Sequence, residues 1–568
     1  MGVSGVRYTG WHVNGYDRPA AVSLVRAGYG PLVATVLSSR GVRDTQTADD
    51  FLNAGPDSLP DPMDMPGMRA AAERLRLAVE RRERVAVFGD YDVDGITAGC
   101  LMRDYLRSKD VPCLLIIPEC REDGYGLSQK SVDRAVEYGA SLAVTVDCGI
   151  TSVAEAEYAA TKGLELIVTD HHECGAELPK AVAVADPKIP QGDFPDKSLA
   201  GVGVAFMLAC ACEGRGAMER LLETYGDLVA LGTVADVMPV TGANRVLIKR
   251  GIELIRQGKR PGIARLALEA GTDIAAMTAS GIGFTLAPRL NAAGRMGQTS
   301  LAVRLVSAET EEEAAGYAQK LCELNASRRE IESGMFEEAL RMAQSEPESP
   351  SPIVLSSEHW YLGVAGIVAS RLADRLSRPA VVICVSDGVG RGSCRSVSGF
   401  SIHAALESAD DLLLTFGGHE MAAGLTIESD KIEAFRRRMA AATGGGKPGA
   451  ELPVDFCVVK PGLLTTRYVS ELSVLEPYGC GNAQPVLCFL GARIEAAEPI
   501  GGGKHARYRI GKNGESFDGV AFGRTVREMG FAAGDTADVA FTPQLNEFRG
   551  RCSVQLIIAD MRPAGEVR

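Results

Sequence analysis

Between residues 84 and 187, short apolar runs alternate with stretches of helical period. Residues 84–88 (RVAVF), 111–117, 142–146, 164–169 and 181–185 are apolar at successive positions, which predicts strands buried on both faces. Residues 96–106 place Ile96, Cys100, Leu101 and Tyr105 on one face of a helix. Residues 128–138 and 151–162 read as further helices, the second capped by Thr151 or Ser152. Such an alternation predicts an α/β fold with a parallel sheet covered on both sides.

Residues 198–261 are mostly helical in pattern. Residues 309–344 form a long, charged, uninterrupted stretch, with Ala315, Leu321, Ile331 and Phe336 available for packing, which predicts a helix joining two lobes. The run SEPESPSP (345–352) is a linker by composition, and so is TGGGKPG (443–449). Between them lies a second α/β unit, residues 353–441. The rest alternates in short strands, among them 506–510, 516–521 and 553–558, as in a small β barrel or sandwich. The expected division is an N-terminal segment (1–60), a first α/β unit (61–270), an inter-lobe segment with the connecting helix (271–345), a second α/β unit (346–445) and a β-rich domain (450–568).

Composition narrows the class. Of 568 residues, 46% are hydrophobic and 23% charged, which fits a globular chain and excludes a largely disordered one. The longest nearly apolar run, residues 199–212, falls short of the roughly 20 residues a membrane helix needs. With no secretory signal at the start, a cytoplasmic protein without a membrane is expected. The 14 cysteines are scattered without a CxxC pair, as free thiols of a reducing compartment would be. A net charge of −13 argues against a non-specific polyanion coat, but a local basic channel remains compatible with nucleic acid.

Candidate chemistry centres on GDYDVDG (89–95). Asp90, Asp92 and Asp94, spaced i, i+2 and i+4 after a strand, would face one side of an extended backbone. Alone, the run also fits a polar strand end or a helix cap. The pattern recurs, however. Asp147 ends the strand 142–146, and Asp170, His171 and His172 end the strand 164–169. In a parallel sheet these ends share the edge where ligands bind. Asp236 follows a later apolar helix. Asp and His together suit Mg²⁺ or Mn²⁺. A structural zinc would want more thiolates than the neighbouring Cys148 and Cys174. The four negative charges of Asp92, Asp94, Asp147 and Asp236 balance two divalent cations, with Asp147 the candidate bridge between them. Such a pair activates water for attack on a phosphoryl group.

GDYDVDG (89–95), VDCG (146–149), DHH (170–172) and Asp236 resemble the motif series of the DHH phosphoesterase superfamily. Six further runs are similar to RecJ-type single-stranded-DNA exonucleases: LAGVGVA (199–205), IGFTLAPRLNAAGR (282–295), GIVASR (366–371), GRGSCRS (390–396), FGGHEMAAG (416–424) and PYGCGN (477–482). The resemblance implies a DHH catalytic domain, a DHH-associated domain joined by a long helix, and an OB-fold. It implies 5′-to-3′ degradation of single-stranded DNA to mononucleotides with two Mn²⁺ or Mg²⁺ ions, in DNA repair and recombination. It further implies single-strand-binding protein and a helicase as partners; a monomer is expected. Asp92 and Asp147 would hold one metal, and Asp94, Asp147, His171 and Asp236 the other. His172 would face the scissile phosphate, with Asp90 and Asp170 in support. Arg289, Asn291 and Arg295 resemble residues that anchor the DNA strand.

In the second lobe, Arg395 can grip phosphate bidentately while Ser393 and Ser396 donate to it. From the residues alone, GRGSCRS is equally an ordinary Gly/Ser turn. The resemblance makes this run and His419 ends of the substrate groove. Two departures stand out. The family has Pro-x-Arg where this chain has Pro118, Glu119 and Cys120, leaving Arg121 to substitute one place later. It has Trp-His where this chain has Trp360 and Tyr361, so no His role carries over. In the β-rich domain, Tyr508, Phe517, Phe522, Phe541 and Phe548 interleave with Lys504, Arg507, Arg509, Lys512, Arg549 and Arg551. They could stack on bases, or could be core aromatics under a solvated basic surface. Two other functions compete: a DHH enzyme acting on short oligoribonucleotides or nucleotide phosphates, and a non-catalytic DNA-bound scaffold.

Overall fold

The computed structural model describes residues 8–119, 126–345, 351–442, 451–548 and 550–565. The chain divides into two units, Asn53–Arg329 with Pro477–Ala483, and Met1–Leu52 with Glu330–Glu476 and Gln484–Arg568. The first strand, β1 (Gly10–Val13), belongs to the second of these.

The unit around Asn53–Arg329 is built on β2 (Val85–Phe88), β3 (Cys113–Ile116), β4 (Leu142–Val146), β5 (Glu165–Thr169) and β6 (Ala183–Ala185). All are parallel, in the order β3-β2-β4-β5-β6. Both faces are covered because successive side chains of a strand point opposite ways. Val85 and Val87 enter a core with Ile96, Leu101 and Phe206, while Ala86 and Phe88 enter another with Val132, Ala135 and Ala159. The chain leaves β2 towards β3 on one side and returns to β4 on the other. That reversal opens a crevice at the carboxyl ends of β2 and β4, where ligands of such sheets bind. Three helices pack behind it, Val93–Arg107, Gly201–Glu213 and Met218–Ala235.

The expected connecting helix runs Glu311–Ser345, about 50 Å at 1.5 Å per residue. Its early seam is Ala314, Ala318 and Leu321 rather than Ala315, which is only half-buried. Met335, Ala339 and Ala343 enter a separate core with Val364 and Leu372.

In the other unit, β7 (Ile353–Ser357), β8 (Ala380–Ser386), β9 (Val389–Arg395), β10 (Leu413–His419) and β11 (Ala422–Glu428) form a mixed sheet ordered β10-β11-β9-β8-β7. GRGSCRS is therefore a strand for most of its length and not a turn. Its glycines face the tight packing of Ile383, Leu425 and Ile427, where a Cβ would collide. β12 (Glu451–Val454) pairs in parallel with β1. The C-terminal domain consists of β13 (Phe456–Cys457), β14 (Leu487–Ile500), β15 (His505–Lys512), β16 (Glu515–Ala521), β17 (Thr536–Phe548) and β18 (Arg551–Pro563). Pairing of β14 with both β15 and β17 closes the sheet into a barrel. Among the described residues no helix is long and apolar enough to cross a membrane, and every described cysteine is a free thiol.

Candidate functional site

The aspartates after β2 do not share an extended face. The chain turns into the helix Val93–Arg107, and Asp92 becomes its N-cap, with Oδ1 accepting from Gly95 N at 3.0 Å. The turn is tight enough that a Cβ on Gly95 would lie 2.4 Å from Asp90 N. Asp94 sits in the first turn, only 1% exposed. Its Oδ2 accepts from Gly201 N (2.7 Å) and its Oδ1 from Val202 N (2.9 Å). These N–H groups open the helix Gly201–Glu213, whose positive end favours an anion.

Asp147 follows β4 with φ of 62°, a left-handed conformation that Asp tolerates better than most residues. That twist turns its carboxylate towards His171, the second residue after β5. His171 Nε2 lies 3.0 Å from Asp147 Oδ1, 3.6 Å from Asp236 Oδ2 and 3.9 Å from Asp94 Oδ2. Asp236 caps the C-terminal end of Met218–Ala235. The next residue, Val237, is 70% exposed and holds φ of 58°, strained for a β-branched side chain.

Asp170 is fully used as a support. Its Oδ2 accepts from Ile150 N (2.9 Å), and its Oδ1 from His171 N (2.7 Å), His172 N (3.2 Å) and His172 Nδ1 (2.7 Å). That last bond leaves Nε2 as the second ring nitrogen of a half-exposed imidazole. Asp90 is buried, with Oδ1 lacking a hydrogen-bond partner.

The electrostatics describe a site waiting for positive charge. Burial, followed by the neighbouring carboxylates, pushes Asp90, Asp94 and Asp147 well above the usual carboxylate range. Burial and the charge of Asp92 raise Asp236 to about 7, against the opposing pull of His172 and Lys188. Burial, helped by the His172 charge, pushes His171 down to about 3. Burial would lower His172 too, but its hydrogen bond to Asp170 and the surrounding carboxylates raise it to about 9. Among the described residues no Lys or Arg forms an ion pair with Asp94, Asp147 or Asp236. Asp147 Oδ1 and His171 Nε2 are buried without a hydrogen bond, since their 3.0 Å approach lacks the alignment of one. Uncompensated buried carboxylates are costly. A donor set of hard oxygens and one imidazole fits divalent cations. Ligand atoms of Asp94, His171 and Asp236 converge within 4.8 Å, and so do those of Asp147, Asp170, His171 and His172. Asp92 joins neither set, although Asp94, Asp147 and Asp236 all feel its charge.

Two glycine supports carry no local signature in the sequence. A Cβ on Gly201 would lie 2.4 Å from Asp147 Oδ1, and one on Gly232 would lie 2.7 Å from Asp94 Oδ1, so both helices can approach the carboxylates only through glycine. Asp186 ends β6 on the same edge. Its Oδ1 accepts from Lys188 N (2.7 Å), and burial raises its carboxyl to about 7. Its place at a strand end was the available signal.

Arg289, Asn291 and Arg295 lie on the helix Ala287–Arg295. Asn291 Oδ1 accepts from Val93 N (3.1 Å), tying this helix to the aspartate-bearing turn, so its carbonyl is engaged in support. Arg289 Nη1 donates to Thr285 O (2.6 Å). In the other unit, Arg395 on β9, Ala422 on β11 and His419 on β10 are register partners in one row. Arg395 and His419 therefore stand on one face, roughly 10 Å apart. Arg395 Nη1 donates to Cys394 O (2.8 Å), and Ser393 Oγ lies 3.4 Å from it. Ser396 Oγ donates to Phe400 O (2.6 Å). A Cβ on Gly366 would lie 3.0 Å from Ser393 Oγ, so this glycine keeps the strip open to its helix. Arg121 falls outside the described residues, as does Arg549. In the barrel, Tyr508, Phe517 and Phe541 are buried core residues, as the closed ring demands. Phe522 and Phe548 remain exposed.

Known proteins share this succession of domains. Models of the DHH family N-terminal domain, the DHHA1 domain and the RecJ OB domain match residues 84–233, 351–447 and 457–560. The single-stranded-DNA-specific exonuclease RecJ of Escherichia coli is 37% identical over 560 residues, covering 94% of this chain and 96% of its own. That of Bacillus subtilis is 35% identical over 557 residues, covering 97% of this chain and 70% of its own. The crystal structure of RecJ in complex with Mn²⁺ from Thermus thermophilus superposes with a TM-score of 0.85 at 32% identity, covering 98% of this chain and 81% of that one. The chain belongs to the RecJ family of DHH-domain proteins.

Proposed function

We propose that the chain is a metal-dependent exonuclease that hydrolyses single-stranded DNA from the 5′ end to mononucleotides. The observation that carries this reading is the convergence of buried, uncompensated Asp94, Asp147 and His171 with Asp236 at the β2/β4 crevice. Asp92 and Asp147 would hold one Mn²⁺ or Mg²⁺, and Asp94, Asp147, His171 and Asp236 a second. Such ions supply a water made acidic at neutral pH and positive charge for the phosphoryl oxygens. The chain's own residues do the rest. Asp170 accepts from His172 Nδ1–H and helps raise the ring's titration to about 9, so the charged imidazolium keeps an Nε2–H that can donate to a phosphate oxygen. Two backbone N–H groups hold Asp94, and glycines at positions 201 and 232 let the supporting helices close on the carboxylates without displacing them. Arg289 and Arg295 offer cations for the strand, and Ser393, Arg395 and His419 offer donors for a terminal phosphate.

The free thiols support the further reading of a cytoplasmic protein, taken as a monomer, and family resemblance that of single-strand-binding protein and a helicase as partners. Digestion of a long single strand labelled at one end, with and without a 5′-phosphate, tests the main reading. A 5′ label should appear at once as mononucleotide and a 3′ label last. Internal fragments, or turnover of a dinucleotide alone, would overturn it.

A further inference from the structure

The run PYGCGN (477–482) and the thiols of the barrel play no part in the chemistry above. Two of those thiols meet. Cys457 on β13 and Cys488 on β14 are register partners on adjacent parallel strands, so their side chains leave the sheet on the same face. Their sulfurs stand 2.6 Å apart. Neighbouring strands lie about 4.8 Å apart, within reach of the Cα separations of about 4.4–6.8 Å that disulfides accept, and a bond of about 2.05 Å asks for an approach of about half an ångström. The two thiols differ in access. Cys488 is fully buried beside Leu452, Val454 and Ala540, whereas Cys457 is half-buried at the margin of that cluster. The hydrogen bond between the two lowers the Cys457 thiol from its ordinary range and raises that of Cys488.

We propose that Cys457 and Cys488 form a site of reversible oxidation, closed to an intramolecular disulfide by a low-molecular-weight disulfide of the glutathione type. The Cys457 thiolate attacks one sulfur of the small disulfide, forming a mixed disulfide and releasing one thiolate. Cys488 then loses its proton and attacks the Cys457 sulfur, which forms the protein disulfide and releases the second thiolate. The two protein thiols are oxidised by two electrons, and one small disulfide is reduced to two small thiols. Half-burial assigns the attacking role to Cys457, and full burial restricts Cys488 to the resolving role.

The bond would close a definite loop. β13 is held by two register pairs, with Val458 N donating to Cys488 O at 2.8 Å. Between the two cysteines run the helix Thr466–Glu471 and the segment Pro477–Ala483, where Cys480 O accepts from Val240 N at 2.7 Å. Oxidation would therefore fasten the base of the loop that carries PYGCGN.

The test uses the full chain, reduced, desalted and incubated with glutathione disulfide, then digested without reductant and mapped. The Cys457 peptide should be linked to the Cys488 peptide. Thiols titrated in denaturant should fall from fourteen to twelve, and dithiothreitol should restore them. Cys488→Ser should trap glutathione on Cys457, while Cys457→Ser should leave Cys488 unmodified. Wild-type chain that keeps both thiols free, carries glutathione on Cys457 without the link, or links either cysteine to the exposed Cys480 would overturn the proposal.

Discussion

Two polar regions of this molecule are organised in opposite ways. The cluster at the carboxyl ends of β2, β4 and β5 is acidic and buried, and its positions are set by backbone. Asp94 is held by two N–H groups, and Asp170 by three N–H groups and an imidazole. The strip on β9, β11 and β10 is basic and partly exposed. Arg395 donates to Cys394 O and lies 3.4 Å from Ser393 Oγ on a half-buried stretch of strand, and His419 lies open to solvent. Buried charge of one sign needs a partner present at all times, as a resident cation is. A half-solvated cation exchanges partners at little cost and suits a ligand that comes and goes, as a phosphate does. Damage to the first region should therefore abolish turnover, and damage to the second should weaken capture.

The largest expected effect is that of Asp147→Ala. It should reduce hydrolysis of single-stranded DNA by about 1000-fold or more at saturating substrate, while gel-shift affinity stays within a few-fold. Equal loss of binding would erase the contrast between the regions. Gly201→Ala comes next. Its methyl group must displace Asp147, and a displacement near 1 Å costs about 100-fold in rate, read as kcat with the thermal midpoint as a folding control. Full activity in that variant would mean that the helix end adjusts freely. Asp170→Asn should cost about 10–100-fold, because a neutral amide accepts through one oxygen only, sets its NH2 group against an N–H that Asp170 now accepts, and no longer offers His172 a charged partner. Arg395→Ala should be mildest, raising KM by about 10-fold with kcat nearly unchanged, more so on strands with a 5′-phosphate. A kcat effect as large as that of Asp170→Asn would place Arg395 with the first region instead.

The two regions also differed in legibility. β4 and β5 end in Asp147 and Asp170 after doubly apolar runs, and a parallel sheet brings such ends together, so spacing and hydrophobicity sufficed there. Asp92 and Asp94 break the period-two spacing of an extended chain, because the Asp92 carboxylate satisfies Gly95 N and starts a helix. Gly201 and Gly232 looked like any glycines in apolar helices. Their necessity depends on which carboxylate stands opposite, and local pattern does not carry that. On the basic strip, Arg395 and His419 are 24 positions apart in the chain and became neighbours only through the register of β9, β11 and β10. The barrel aromatics show the same limit: alternation marks Tyr508 and Phe541 as strand residues, and only ring closure sends them inward.

Titration of the metal-free chain with Mn²⁺, followed by electron paramagnetic resonance of the free ion, addresses the centre of this account most directly. Two ions should bind per native chain, and Asp147→Asn should weaken both. Undiminished uptake by that variant, or a single ion in the native chain, would contradict the claim that this carboxylate joins two cations.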